Sequence, residues 1–268
     1  MQKRPILIKD AERMFLAEHN KDLFIQTTDV MWTKLADYQQ TEGYIAGMLL
    51  LAHDIDLVVK ALTVLSVHPK YLPGYFKHEA TALNIDAWVW YELVEQQFPK
   101  VHAHLLKVGV APDMYCQKYF GGLCIHLLPF KHLIKFLDGF FQHGFRYSFT
   151  FGLSMIKILR ESLLKQADHT SIMALLRLDS KMAPPILAKV GKALDDSFFE
   201  EILAGVSSFE KFVNEFHYQE LREKVFEQHF VQRMIRATQI DMAGVLEDDD
   251  EVVFSDETES DADAKTME

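Results

Sequence analysis

Tyr38-Gln39-Gln40-Thr41-Glu42-Gly43-Tyr44-Ile45-Ala46-Gly47-Met48-Leu49-Leu50-Leu51 changes character at its midpoint. Polar residues crowd its first half, and an apolar run fills the rest. The run Tyr44–Ala52 is far too short to cross a bilayer. It reads as a buried helix, with Tyr38 and Gln40 at its boundary. The same period recurs outward along the chain. Phe209, Phe212, Val213 and Phe216 fall at i, i+3, i+4 and i+7, and Phe226, Phe230 and Met234 follow at steps of four, both amphipathic helix patterns.

Helices are predicted near 9–24, 28–39, 43–52, 55–67, 78–97, 99–108, 112–126, 130–142, 146–166, 169–179, 185–205 and 208–238. Ser197 with Glu200, and Ser207 with Glu210, have the spacing of capping boxes. Pro129 and Pro184-Pro185 punctuate the pattern, because proline cannot continue a helix interior. No strand and no internal repeat emerges. With 49% hydrophobic residues, 25% charged residues, and only 12 glycines and 8 prolines, the 268-residue chain reads as an all-α globular protein.

Charge is concentrated at one end. Between Glu247 and Glu268 eleven acids stand against one lysine, so this stretch carries −10 of the net −11. Residues 246–268 are predicted to be a disordered tail, since they lack the apolar surface to offset chain entropy. The remaining body is nearly neutral, which argues against nucleic acid as a ligand. Cys116 and Cys124 lie too far apart on a helix to be bridged, and free thiols suit a reducing compartment. The first ten residues contain no apolar segment of signal-peptide length. A cytoplasmic protein is expected, with any membrane contact made through a partner.

Most catalytic signatures are missing. The 12 histidines show no His-Glu-x-x-His, and His102 and His104, two apart, face different sides of a helix, so no metal site is expected. There is no Gly-x-Gly-x-x-Gly and no phosphate-binding loop ending in Lys-Ser or Lys-Thr. The chain should hold no nucleotide or other cofactor of its own. No Gly-x-Ser-x-Gly occurs, and neither cysteine has a base at a recognisable spacing.

Two segments remain. Leu7-Ile8-Lys9-Asp10-Ala11-Glu12-Arg13 contains Asp-x-x-Arg, which alone is the spacing of an ordinary helix ion pair. The second is Tyr38–Leu51. In this order they resemble the TBC domain, the all-helical catalytic domain of most Rab GTPase-activating proteins. That family carries I-x-x-D-x-x-R, supplying an arginine finger, and then Y-x-Q-G before an apolar helix, supplying a glutamine finger. Leu7, Asp10 and Arg13 fit the first motif, and Tyr38, Gln40 and Tyr44-Ile45-Ala46-Gly47 the second. Further on, Tyr71–Phe76, Phe98–Leu105, Tyr119-Phe120, Leu128-Pro129, Lys135–Asp138 and Gly144 resemble family elements in the expected order, so the likeness runs from about Leu7 to Lys165. The chain departs from the pattern in the shortness of the stretch before Arg13, the 27-residue gap from Arg13 to Gln40, Thr41 in place of glycine, and Gly43 in place of a common asparagine.

The resemblance implies a two-lobed multi-helical TBC-like domain over 1–180; Pro184-Pro185 is the expected seam between it and a C-terminal helical region over 185–240, before the acidic tail. The resemblance also implies a Rab-family small GTPase as partner, GTP-bound and carrying its own magnesium. Arg13 would stabilise charge on the phosphoryl group, Gln40 would orient water, and Asp10 and Tyr38 would support them. Lys135 would be supporting or partner-facing. A different reading stays open: a non-catalytic helical adaptor that keeps the fold and binds a small GTPase or another trafficking partner.

Overall fold

The computed structural model describes residues 5–77 and 80–231. Among these there is no strand. The helices are α1 (Pro5–Met14), α2 (Glu18–Leu35), α3 (Gln40–Leu49), α4 (Ile55–Val67), α5 (Thr81–Gln97), α6 (Pro99–Val108), α7 (Asp113–Cys116), α8 (Phe130–His143), α9 (Phe145–Leu164), α10 (His169–Leu176), α11 (Ala183–Ala188), α12 (Asp196–Gly205), α13 (Ser207–Glu215) and α14 (Tyr218–Val225). A π-helical turn, Gln117–Gly121, continues α7. Residues 1–225 form one compact unit, and 226–268 are a second, whose described part is the π-helical turn Phe226–Val231. The acidic stretch 246–268, Met234 and the last residues of the helix expected to reach 238 lie outside the described residues.

Within the first unit, α1–α4 pack on one another, and the later helices gather on α5 and α9. The two sets meet where α3 packs on the π-helical turn. They also meet through the 68–80 connection, where Tyr75 donates to buried Asp86 of α5 at 2.8 Å. Helix α9 is the axis of the second set, with Phe149, Phe151, Leu153, Met155, Ile156, Leu159 and Leu163 wholly buried. Such side chains contribute about 1.5–3 kcal/mol each. At Gly152 a Cβ would stand 2.9 Å from the Trp90 indole nitrogen, so only glycine lets α9 lie this close to α5.

The expected division at Pro184-Pro185 falls inside the compact unit. Those prolines open α11 in its first turn, where the missing N–H costs nothing. Beyond them α12 and α13 pack on α9, and α14 packs on α5. Helix α14 is clasped to α5 by Asp86, which accepts from Tyr218 Oη at 2.7 Å and lies 3.0 Å from Arg222 Nε. The arginine contact is an ion pair without hydrogen-bond alignment, since Arg222 Nε and Asp86 Oδ1 both lack a hydrogen-bond partner.

Four local expectations are corrected. The first two helices break at Phe15–Ala17, not near 25–27. The polar run 26–28 stays helical, with Thr27 and Thr28 turning their hydroxyls back onto the carbonyls of Leu23 and Phe24 inside α2. The single helix expected over 112–126 ends in the π-helical turn, and Leu123 and Cys124 then take left-handed backbone, φ 44° and 57°. The helix expected over 185–205 is two, separated by a loop containing Gly191 at φ 72°. The capping boxes do not form. Asp195 caps α12, accepting from Phe198 N at 3.1 Å and from the Ser197 hydroxyl at 2.7 Å, and α13 begins without a side-chain cap. Cys116 and Cys124 are free and buried.

Candidate functional site

Helix α1 buries Leu7, Asp10 and Ala11, positions i, i+3 and i+4. Two are the apolar stripe that fixes the helix on α2 and α3. The third is a carboxylate, and Asp10 is only 3% exposed. A buried carboxylate needs partners, and three converge on it. Tyr38 Oη donates to Oδ2 at 3.0 Å. Gln40 Nε2 donates to Oδ1 at 3.1 Å. Arg13 Nη1 reaches the same Oδ1 at 3.3 Å, from a side chain that remains 67% exposed. All four predicted site residues therefore meet at one carboxyl group.

Each partner arrives by a different local device. Arg13 is one helical turn beyond Asp10. Tyr38 follows the left-handed Ala36, φ 60°, which ends α2 and turns the chain back. Its ring stacks on Trp32 at 5.5 Å and 13°. Burial, then the Asp10 charge, pushes the Tyr38 phenol well above its ordinary range, so it stays a donor. Gln40 is the first residue of α3, directly after its N-cap Gln39. Thr41, where the family resemblance would place glycine, is an ordinary helical residue, and its Cβ lies 3.3 Å from where a Cβ on Gly121 would stand.

Gly43 and Gly47 set how closely α3 approaches. A Cβ at Gly43 would stand 2.7 Å from Tyr38 Oη and 3.1 Å from Phe24 Cζ, and one at Gly47 would stand 2.3 Å from Met14 Cε. The glycines thus bring Gln40 within reach of α1.

Arg13, Asp10, Tyr38 and Gln40 border an open cleft of about 580 Å³, together with Pro5, Ile6, Lys9 and Gln39. An ionised carboxylate can only accept, so Asp10 fixes the Gln40 amide with its NH₂ inward. The amide oxygen and one N–H are left over. Arg13 spends one of five donors on Asp10. The cleft therefore offers a cation, an amide acceptor and an amide donor. That set suits a transferring phosphoryl group and a water attacking it.

Lys135 is not in this cleft; it sits on α8, 3.9 Å from Glu200. Sequence reasoning passed over Tyr44 and Glu42. Tyr44 stands four residues after Gln40, on the same face of α3. Its phenol is pushed up by burial and by Asp10, with Arg13 pulling the other way, which places it in the field of both. Glu42 is wholly buried, and neither carboxyl oxygen has a hydrogen-bond partner. Its signal was visible as a lone acid at the head of an apolar run. Among the described residues no three His, Cys, Asp or Glu side chains gather as a metal site, and no helix is long and apolar enough to cross a membrane.

An all-helical body here presents an arginine and a glutamine from one buried aspartate at the edge of an open cleft. Residues 30–164, half of the chain, match the family model of the Rab-GTPase-TBC domain. The chain belongs to that family. The matched segment contains Tyr38 and Gln40; Asp10 and Arg13 precede it.

Among similar proteins, Carabin of Mus musculus is 31% identical over 121 residues, covering 45% of this chain and 27% of that protein. TBC1 domain family member 10A of Mus musculus is 28% identical over 120 residues, covering 45% of this chain and 24% of that protein. A putative GTPase-activating protein of Emericella nidulans is 28% identical over 163 residues, covering 59% of this chain and 14% of that protein. The chain thus spans about a quarter or less of the length of these relatives. The crystal structure of the Chlamydomonas flagellar RabGAP TBC domain superposes with a TM-score of 0.59 at 15% identity, covering 76% of this chain and 67% of that one. That likeness establishes the fold.

Proposed function

We propose that this chain is a GTPase-activating protein for a Rab-family small GTPase, acting in vesicle trafficking. Arg13 and Gln40 are the catalytic residues. Asp10 and Tyr38 hold them. The observation that carries this reading is the shared Asp10 Oδ1, which joins an arginine and a glutamine 27 residues apart in one open cleft. The name of the Emericella relative, a putative GTPase-activating protein, supports it.

GTP hydrolysis asks little covalent chemistry of the protein. It needs charge stabilised on the phosphoryl oxygens and a water aligned for attack. Arg13, always ionised and planar, enters the partner's nucleotide site and bridges two phosphate oxygens. The Gln40 carbonyl accepts from the attacking water. Its remaining N–H donates to a phosphate oxygen. The GTP and its magnesium belong to the GTPase, and membranes are reached only through that partner, from the cytoplasm.

The second reading, a non-catalytic adaptor, is favoured by one observation: the family match begins at residue 30 and leaves Arg13 outside it. A panel of GTP-loaded Rab proteins separates the two. Stimulated turnover that disappears in Arg13→Ala supports catalysis. Binding without stimulation supports the adaptor.

A further inference from the structure

Helix α3 carries a second feature on the Gln40 face. Tyr44, one turn on and about 6 Å along the axis, is half-buried, and its ring meets that of His126 in a T-shaped contact at a centroid distance of 4.2 Å and 84°. His126 itself is exposed, on the turn before α8. No hydrogen bond links either ring to Asp10, whose charge acts on the Tyr44 phenol through space. Together they form an aromatic ledge that starts beside the two fingers and ends in solvent.

We propose that Tyr44 and His126 are the affinity- and state-determining contacts for the GTPase, the ledge on which its switch segments rest. This inference rests on the reading of Arg13 and Gln40 as fingers. In a small GTPase the switch segments are ordered around the γ-phosphate and released on hydrolysis. A protein that brings Gln40 to the attacking water must set whatever lies one turn away against those segments. An aromatic face beside a cation suits this role, because it gives large contact area at low entropic cost. The ledge therefore recognises the GTP-ordered surface and adds little to the barrier of the chemical step. It holds the ground and transition states alike, so it sets KM and leaves kcat alone.

The test uses the full chain and a Rab protein that it stimulates, with Tyr44→Ala, His126→Ala, Tyr44→Phe, His126→Phe and Arg13→Ala, each first shown to melt as the wild type does. The alanine variants should raise KM about ten-fold with kcat within about two-fold, the loss of one aromatic contact of about 1.4 kcal/mol. They should also lose most of the preference for the Rab loaded with a non-hydrolysable GTP analogue over its GDP form. The phenylalanine variants keep a ring and should stay close to wild type. Alanine variants with unchanged KM, or a fall confined to kcat, overturn the ledge. So does equal loss in the alanine and phenylalanine variants. A wild type that stimulates no Rab protein overturns the catalytic reading instead; the ledge is then judged by affinity for the analogue-loaded Rab, and falls if no binding is found or if Tyr44→Ala binds equally well.

Discussion

Glu42 should make this protein lose stability as the pH rises. It is 0% exposed, and both carboxyl oxygens are unpartnered. Burial, and next the charge of Asp37, push its pKa from an ordinary 4.5 up to about 8. A group that binds its proton more tightly when folded stabilises the fold fully below the unfolded value and loses that contribution as pH rises through the folded one. Taking 1.36 kcal/mol per unit, ionising the unfolded chain while the folded one stays protonated lowers stability by about 3 kcal/mol at pH 7 relative to pH 4; above pH 8 the folded carboxyl ionises too, and the loss levels off at about 5 kcal/mol. Glu42→Gln keeps the shape and the unpaired polar burial but cannot ionise. It should be nearly neutral at pH 4.5 and more stable than wild type by about 3 kcal/mol at pH 7, or about 6–12 °C in Tm for a domain of this size. Urea unfolding of both proteins at pH 5, 7 and 8.5 measures this. Buried Asp86, which burial also pushes up, contributes a slope of the same sign to both proteins, so the difference between them isolates Glu42. Parallel stability curves across that range would show that the carboxyl is solvated or paired, and the argument from burial would be wrong.

Arg13→Ala and Arg13→Lys should each reduce stimulated GTP hydrolysis by about 10³ or more with folding unchanged, lysine failing because a point charge cannot bridge two oxygens; single-turnover hydrolysis measures it. Gly43→Ala should cost about 1–3 kcal/mol by overpacking against Phe24 and Tyr38, and should lower activity as well, because the clash falls on the hydroxyl that holds Asp10; thermal melts and turnover are read together. Arg222→Ala leaves Asp86 buried without its cation and should cost about 3 kcal/mol, read by urea unfolding, with Arg222→Lys recovering part of it. Thr41→Gly should lower stability by about 0.5–1 kcal/mol with no gain in turnover, since position 41 is an ordinary helical site.

The helical class was legible because periodic apolar spacing is a local property, and α4, α6 and α8 lie almost where the pattern puts them. The breaks were less legible. Thr27-Thr28 looks like a boundary, yet its hydroxyls find carbonyls inside the helix. Phe15–Ala17 carries no proline, glycine or capping residue, and it breaks. The Pro184-Pro185 seam misled for a related reason: proline marks where a helix starts as readily as where one stops. What distinguishes the two is whether the following helices have a surface to cover. Here α9 and α5 provide it.

The site was legible by a different route. Tyr38, Gln40, Asp10 and Arg13 were picked out by resemblance, and only the i, i+3 spacing of Asp10 and Arg13 gave a local reason for any of them to touch. The structure supplies another, which depends on residues with no chemistry of their own. Gly43 and Gly47 let α3 approach α1 and Tyr38, and Ala36 turns the chain so that Tyr38 faces inward. Only then does one buried carboxylate reach a phenol, an amide and a guanidinium at once. Asp10 is consequently more than a tether for Arg13. Because Gln40 shares its Oδ1, moving Asp10 moves both fingers together, and Asp10→Ala, which removes the shared acceptor, should impair the two roles as a unit. A double variant with Arg13→Ala should then be scarcely worse than Arg13→Ala alone, whereas additive losses would mean that the two fingers are positioned independently.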